Sequence, residues 1–151
     1  MKTILRTAVM AVCLLTVNQM ISSASEGQSV MKNAANAEIK VPAENFSGAA
    51  WMKSFIPKEY GAKFYAAQVT FEPGTKTRWH IHPEGQALIV TDGVGYTQEW
   101  GKEPVRLEPG DAVWCPPGVK HWHGAAENAS MTHTAISAVG DKDVIWLEHV
   151  E

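Results

Sequence analysis

Four of the six histidines in this 151-residue chain fall in two short stretches, and each stretch holds a His-x-His pair. In residues 74–93 the pair is His80 and His82. Side chains alternate faces along a strand, so both imidazoles project from one side while Trp79 and Ile81 face the other way. Gln86 follows a Pro-Glu-Gly turn and can swing an amide oxygen toward the same point. In residues 110–124, His121 and His123 again share a strand face, with Trp122 opposite. Two such strands meeting in space would supply a nitrogen-rich metal site. A lone histidine is more often a hydrogen-bonded core residue, whereas two pairs in this frame favour metal. Spacing alone leaves three roles open for His123: a further ligand, a neighbour that orients bound water, or a free imidazole that moves protons.

Elements that could hold such pairs run through most of the chain. From Lys63 onward, short apolar runs are each bounded by Gly or Pro. The pattern predicts strands over Lys63–Glu72, Thr77–His82, Gln86–Thr91, Val94–Trp100, Pro104–Leu107, Asp111–Trp114, Lys120–Gly124, Met131–Ser137 and Val144–Val150. Many short strands at this spacing argue for an all-β sandwich or barrel, and no helix-period pattern of useful length competes. Residues 37–62 read as short apolar pieces broken by Pro42, Gly48, Pro57 and Gly61, and residues 26–36 as a mobile lead-in.

Length fits one domain with a real core, and 45% hydrophobic residues is an ordinary globular composition. A formal charge of −3 without a basic patch excludes nucleic acid as a natural partner. Residues 1–25 read as a signal peptide. Lys2 and Arg6 give a basic start, Thr7 to Val17 is mostly apolar, and Ser22, Ser23, Ala24 and Ser25 offer small residues for cleavage just before Ser25 or Glu26. The apolar run is too short to span a bilayer, and Val12 is bulkier than the residue expected before a lipidated Cys13. The expected product is periplasmic or secreted, without stable membrane insertion. It keeps 11 basic and 16 acidic residues, a charge of −5. Cys13 leaves with the leader, so Cys115 has no intrachain disulfide partner and reads as a buried thiol.

The two histidine stretches also carry a resemblance. Gly74, His80, His82, Gln86 and Gly93 read G-x5-H-x-H-x3-Q-x6-G, and Gly110, Pro116, Gly118 and His121 read G-x5-P-x-G-x2-H. These resemble the two motifs of the cupins, small β-barrels related to the jelly rolls. The implied fold is all-β, a single-domain cupin (jelly-roll-like) barrel over residues 37–151. Two positions depart from the pattern: cupins usually have Glu in place of Gln86, and often Asn in place of Ala125.

A narrower likeness runs from Phe71 to Gly124, through Met131-Thr132-His133, to Trp146–Val150. It resembles the bacterial cupin hydroxynitrile lyases, long described as carboxymuconolactone-decarboxylase-like cupins. That resemblance implies metal ligands at His80, His82, Gln86 and His121, usually with manganese, and an acid or base at His123. It implies a substrate pocket that includes Val69, His133 and Ser137, the last commonly Gln in such lyases. His133 shares a strand face with Ser137, so it is a pocket wall if that face lines the barrel and a core histidine otherwise. Cupins usually pair, so a homodimer or higher homo-oligomer is expected, and a small molecule is the expected partner.

Three imidazoles and an amide oxygen suit a borderline divalent ion, whether manganese, iron, cobalt, nickel or zinc, and among these the resemblance favours manganese. Magnesium and calcium would want more oxygen ligands. With no carboxylate in the set, the ion keeps its full charge and is a stronger Lewis acid toward a hydroxyl or carbonyl oxygen. With the resemblance, the expected activity is a metal-dependent lyase. The rivals are an iron or nickel dioxygenase on the same scaffold and an exported protein that binds a metal or small ligand without turnover.

Overall fold

The computed structural model describes residues 27–28, 30–33, 37–142 and 144–151. The expected signal peptide over residues 1–25 lies outside these, as does much of the 26–36 lead-in. Eleven strands appear among the described residues: β1 Ile39–Lys40, β2 Ala50–Ile56, β3 Phe64–Phe71, β4 His80–Ile81, β5 Gln86–Gly93, β6 Gly95–Glu99, β7 Val105–Leu107, β8 Ala112–Cys115, β9 Lys120–Ala125, β10 Met131–Ala138 and β11 Ile145–Trp146. They form two antiparallel sheets, ordered β1-β2-β3-β10-β5-β8 and β11-β4-β9-β6-β7. This is the expected all-β jelly-roll-like architecture.

Inward-facing positions change character along each strand. On β10 they are Met131, His133, Ala135 and Ser137, all buried. On β3 they are Phe71, Val69, Ala67 and Tyr65, which pair in register with those four. On β5, Val90, Leu88 and Gln86 face His133, Ala135 and Ser137. One end of the barrel is therefore a hydrocarbon floor, built from Phe71, Met131, Ala50, Val69, Val90, Leu107 and Ala125. The other end carries the polar side chains. Between them, β10 slips one residue against β5 at Thr132/His133. The irregularity leaves both Thr132 and His133 buried. Such a bulge re-aims a side chain at the cost of one ladder pair.

Two expectations are corrected. Residues 37–62 are not only broken pieces, because Ala50–Ile56 is a full strand paired along β3. Its Trp, Lys and Ser interrupt the alternation, and its burial is intermediate along most of its length. The expected strand Thr77–His82 shrinks to His80–Ile81. The preceding residues take other partners: Thr77 N–H donates to the His123 carbonyl and Trp79 N–H to that of Glu148.

Gly124 shows how tightly this segment lies on β9. A Cβ there would sit 2.4 Å from the Thr75 carbonyl oxygen and 2.6 Å from Lys76 Cα, both backbone atoms. Gly124→Ala is therefore expected to cost about 3 kcal/mol, the upper end of overpacking penalties. It should lower the melting temperature accordingly, and an unchanged melting temperature would contradict the register.

Candidate metal centre

Three short pieces of chain bring the histidines together. β4 and β9 pair so that His80 stands opposite His121. His82 follows β4, one residue past Ile81. The nitrogen atoms that His80, His82 and His121 offer all lie within 4.8 Å of one another, and all three residues are buried. Gln86, first residue of β5, places Oε1 3.4 Å from His121 Nε2.

Two backbone carbonyls aim the rings. His80 Nδ1 lies 2.8 Å from the Arg78 carbonyl oxygen, and His121 Nδ1 lies 3.0 Å from that of Val119. A carbonyl only accepts, so each Nδ1 carries the proton and each Nε2 presents a lone pair. The His121 lone pair then faces the Gln86 amide oxygen, another acceptor. Acceptors converging from several sides, with ring orientation fixed by outer hydrogen bonds, is the donor arrangement a divalent cation requires. The residues present fit a metal ion.

His123 stands one step deeper. Its backbone N–H donates to Thr77 Oγ1 at 3.2 Å, and its Nδ1 lies 3.3 Å from His133 Nε2. Its ring centroid is 5.2 Å from that of His80 and 5.7 Å from that of Phe71, edge-on to both. His133 touches the same Phe71 ring, at 5.4 Å. Burial pushes the imidazoles of His80 and His123 well below the ordinary histidine value. Burial, with a smaller effect from His121, brings His82 to about 4, and burial brings His133 to about 4. His121 is lowered too, again by burial. All five rings are neutral at pH 7, the state in which an imidazole can bind a metal or accept a proton.

That burial has a consequence for the metal-free protein. His133 titrates near 4 when folded and near 6.5 when unfolded. Between those values the unfolded chain binds a proton that the folded chain refuses, so stability falls as pH drops through this window and is fully present above it. Complete titration of one such group is worth about 3 kcal/mol. Melting temperatures of the metal-free protein should be level from pH 8 to about 7 and fall steadily toward pH 4. A flat profile would mean these rings are solvated.

A cavity of about 130 Å³ opens beside the cluster. His80, His82, Gln86, His123 and His133 line it, with Thr77 and an apolar surround of Phe46, Met52, Tyr65, Ala67, Val69, Phe71, Ala135 and Trp146. The expected pocket residues Val69 and His133 are on its wall. Ser137 is buried beside Gln86 in the β10–β5 register and is not on that wall. Its Oγ finds no hydrogen-bond partner. Sequence reading missed Phe46, Met52, Tyr65, Ala67, Phe71, Thr77, Ala135 and Trp146. Tyr65, Ala67 and Phe71, which alternate with Val69 on an expected strand, and Ala135, between His133 and Ser137 on another, carried a signal that could have found them.

Comparison with known proteins agrees with this geometry. Residues 67–137 match the family described as Cupin domain. The (R)-mandelonitrile lyase of Granulicella tundricola is 48% identical over 112 residues, spanning 74% of this chain and 86% of that one. This chain belongs to the cupin family. Among solved structures, a cupin-like protein from Thermotoga maritima is 43% identical to this cupin, with a TM-score of 0.72 over 74% of this chain and 86% of the other. The polyketide cyclase RemF from Streptomyces resistomycificus shares the cupin's fold at a TM-score of 0.69, covering 83% and 89%, with 15% identity. Gln86, at the position where the cupin motif usually has a carboxylate, faces His121.

Proposed function

We propose that this cupin is a metal-dependent lyase that cleaves small hydroxynitriles to an aldehyde and hydrogen cyanide. The observation that carries the reading is His123: a buried, neutral imidazole on the wall of a small apolar cavity, beside three histidines poised to hold an ion. The relative named (R)-mandelonitrile lyase supports it.

His80, His82, His121 and Gln86 would hold the ion, manganese foremost. Bound there, it supplies Lewis acidity that lowers the pKa of a substrate hydroxyl. His123 takes the hydroxyl proton and becomes imidazolium. The oxygen's electron pair forms the carbonyl, the C–C bond to the nitrile carbon breaks, and its pair leaves as cyanide. His123 then returns its proton to cyanide, releasing hydrogen cyanide and restoring the neutral ring. His133, at 3.3 Å, holds the His123 ring in place throughout. Phe71, Val69 and Met52 take the substrate's hydrocarbon group and exclude water.

The remaining assignments belong to the same reading. Residues 1–25 serve as a cleaved leader, 26–36 as a lead-in and 37–151 as the cupin domain, so the mature protein works in the periplasm or outside the cell. It pairs with itself. Ile89 and Trp114, exposed on the outer face of β5 and β8, offer apolar surface for such pairing.

The test is mandelonitrile turnover by the purified protein before and after chelation. Activity that vanishes with the metal and returns with manganese supports the proposal. Turnover that survives complete metal removal would overturn it. Oxygen uptake with an enediol-like substrate would put the dioxygenase reading in its place.

A further inference from the structure

The cavity beside the histidines has an antechamber. A hollow of about 20 Å³ lies outside it, at the barrel mouth, with Lys58, Glu84, Ala138 and Lys142 on its rim. These four are exposed, so the hollow faces solvent. Two residues line both spaces: Tyr65 and His82. A passage from the hollow to the candidate metal centre, here the neck, would run between these two side chains.

The two sides of this neck are not alike. His82 is fixed if it is a ligand, because its ring cannot swing away without releasing the ion. Tyr65 carries no such constraint. It occupies the first inward position of β3, opposite Ser137, which in turn stands opposite Gln86. Its ring is half-buried, and the Lys58 ammonium sits 5.1 Å from the ring centroid. Lys58 belongs to the short 3-10 turn Lys58–Tyr60 that precedes β3. A cation over an aromatic face holds the ring where it lies.

We propose that Tyr65 is the specificity-determining residue of this cupin: its ring closes the neck and limits substrates to those the inner cavity can hold. A cavity of 130 Å³ is close to the roughly 150 Å³ that accommodates one benzene ring in an apolar interior. The substrate class is therefore a hydroxyl-bearing molecule with a short alkyl group or a single unextended ring. Two-ring substrates must push through the neck and are rejected. Tyr65 acts in this way only if the histidine cluster holds a metal ion, whatever bond is then broken.

The experiment compares the manganese-loaded parent with Tyr65→Ala, Tyr65→Phe and Ala138→Phe. Transfer of the ion to excess chelator is followed first, without substrate. Tyr65→Ala should release the ion several-fold faster, and Tyr65→Phe, which keeps the ring, at the parental rate. Ala138→Phe adds bulk at an exposed rim position and should slow release, which keeps the test decisive if Tyr65→Ala does not fold. In a second measurement, the ratio of kcat/KM for a two-ring over a one-ring cyanohydrin should rise about tenfold or more in Tyr65→Ala, the scale on which apolar pockets discriminate. Equal release rates in all four proteins would overturn the proposal. The ion would then exchange on the opposite side, through the cavity of about 270 Å³ that His121 shares with Glu99, Val113 and Cys115. A parent that binds no manganese would remove the metal centre itself, a different failure from a metal-loaded protein with no gate.

Discussion

His123→Ala is expected to lose cyanohydrin cleavage by a factor of about 10² to 10⁴, the usual contribution of a positioned acid or base, while keeping its metal. Both halves of that result follow from position. The ligand atoms of His80, His82 and His121 gather within 4.8 Å without help from His123. Its own ring leans instead on Phe71 and on His133. Removing it leaves the ligands' own backbone bonds to Arg78 and Val119 untouched. The measurement is metal content and benzaldehyde formation on the same preparation. Activity lost with metal retained assigns proton transfer to His123. Metal lost as well would make it a fifth ligand, and full activity would leave it a wall residue.

His121→Ala should lose both metal and activity. This residue does three things at once. It stands opposite His80 on the paired strands, it faces the Gln86 amide oxygen, and its Nδ1 is tied to Val119. An alanine there leaves two histidines and an amide on one side of the cluster. Thermal melting reads the loss without any substrate. An ion at 100 times its dissociation constant stabilises a folded protein by about 2.7 kcal/mol. Added manganese should raise the melting temperature of the parent and not that of His121→Ala. An equal rise in both would place the ion elsewhere.

The histidine pairs were legible because their two-residue spacing on a strand leaves one geometric reading. Register did the rest, setting His80 against His121. Long strands with clean alternation, such as β3, β5 and β10, were legible for the same reason. β2 was hidden, since a strand that is half-buried on both faces shows no period. β4 and β11 were placed but overextended: the expected strands Thr77–His82 and Val144–Val150 shrink to His80–Ile81 and Ile145–Trp146, two residues each. His133 was left between pocket wall and core histidine, and it is both: on the cavity wall and wholly buried against His123. No spacing rule could decide that, because it depends on a bulge in β5, where Thr91 is skipped between the Thr132–Asp92 and His133–Val90 pairs. Trp79 and Trp122 are buried, whereas Trp100 is 56% exposed. The Lys120 ammonium lies over the rings of Trp100 and Trp79, so a cation from a neighbouring strand occupies these faces. Cys115 is the buried thiol the sequence promised, pushed up to about 11 mainly by burial.

The wall of the cavity draws on parts of the chain far apart in sequence. Phe46 bridges to Thr77, and Trp146 comes from β11, which pairs with β4. The two rings meet at 6.1 Å, and Trp146 lies 4.9 Å from the ring of His80. The first and last stretches of the barrel are thus clasped over His80. A bound ion that fixes His80 also fastens both of these stretches. On the proposed metal-dependent reading, loss of the ion would loosen the places where a protease would first gain purchase, so the metal supply would set the working lifetime of the protein as well as its activity.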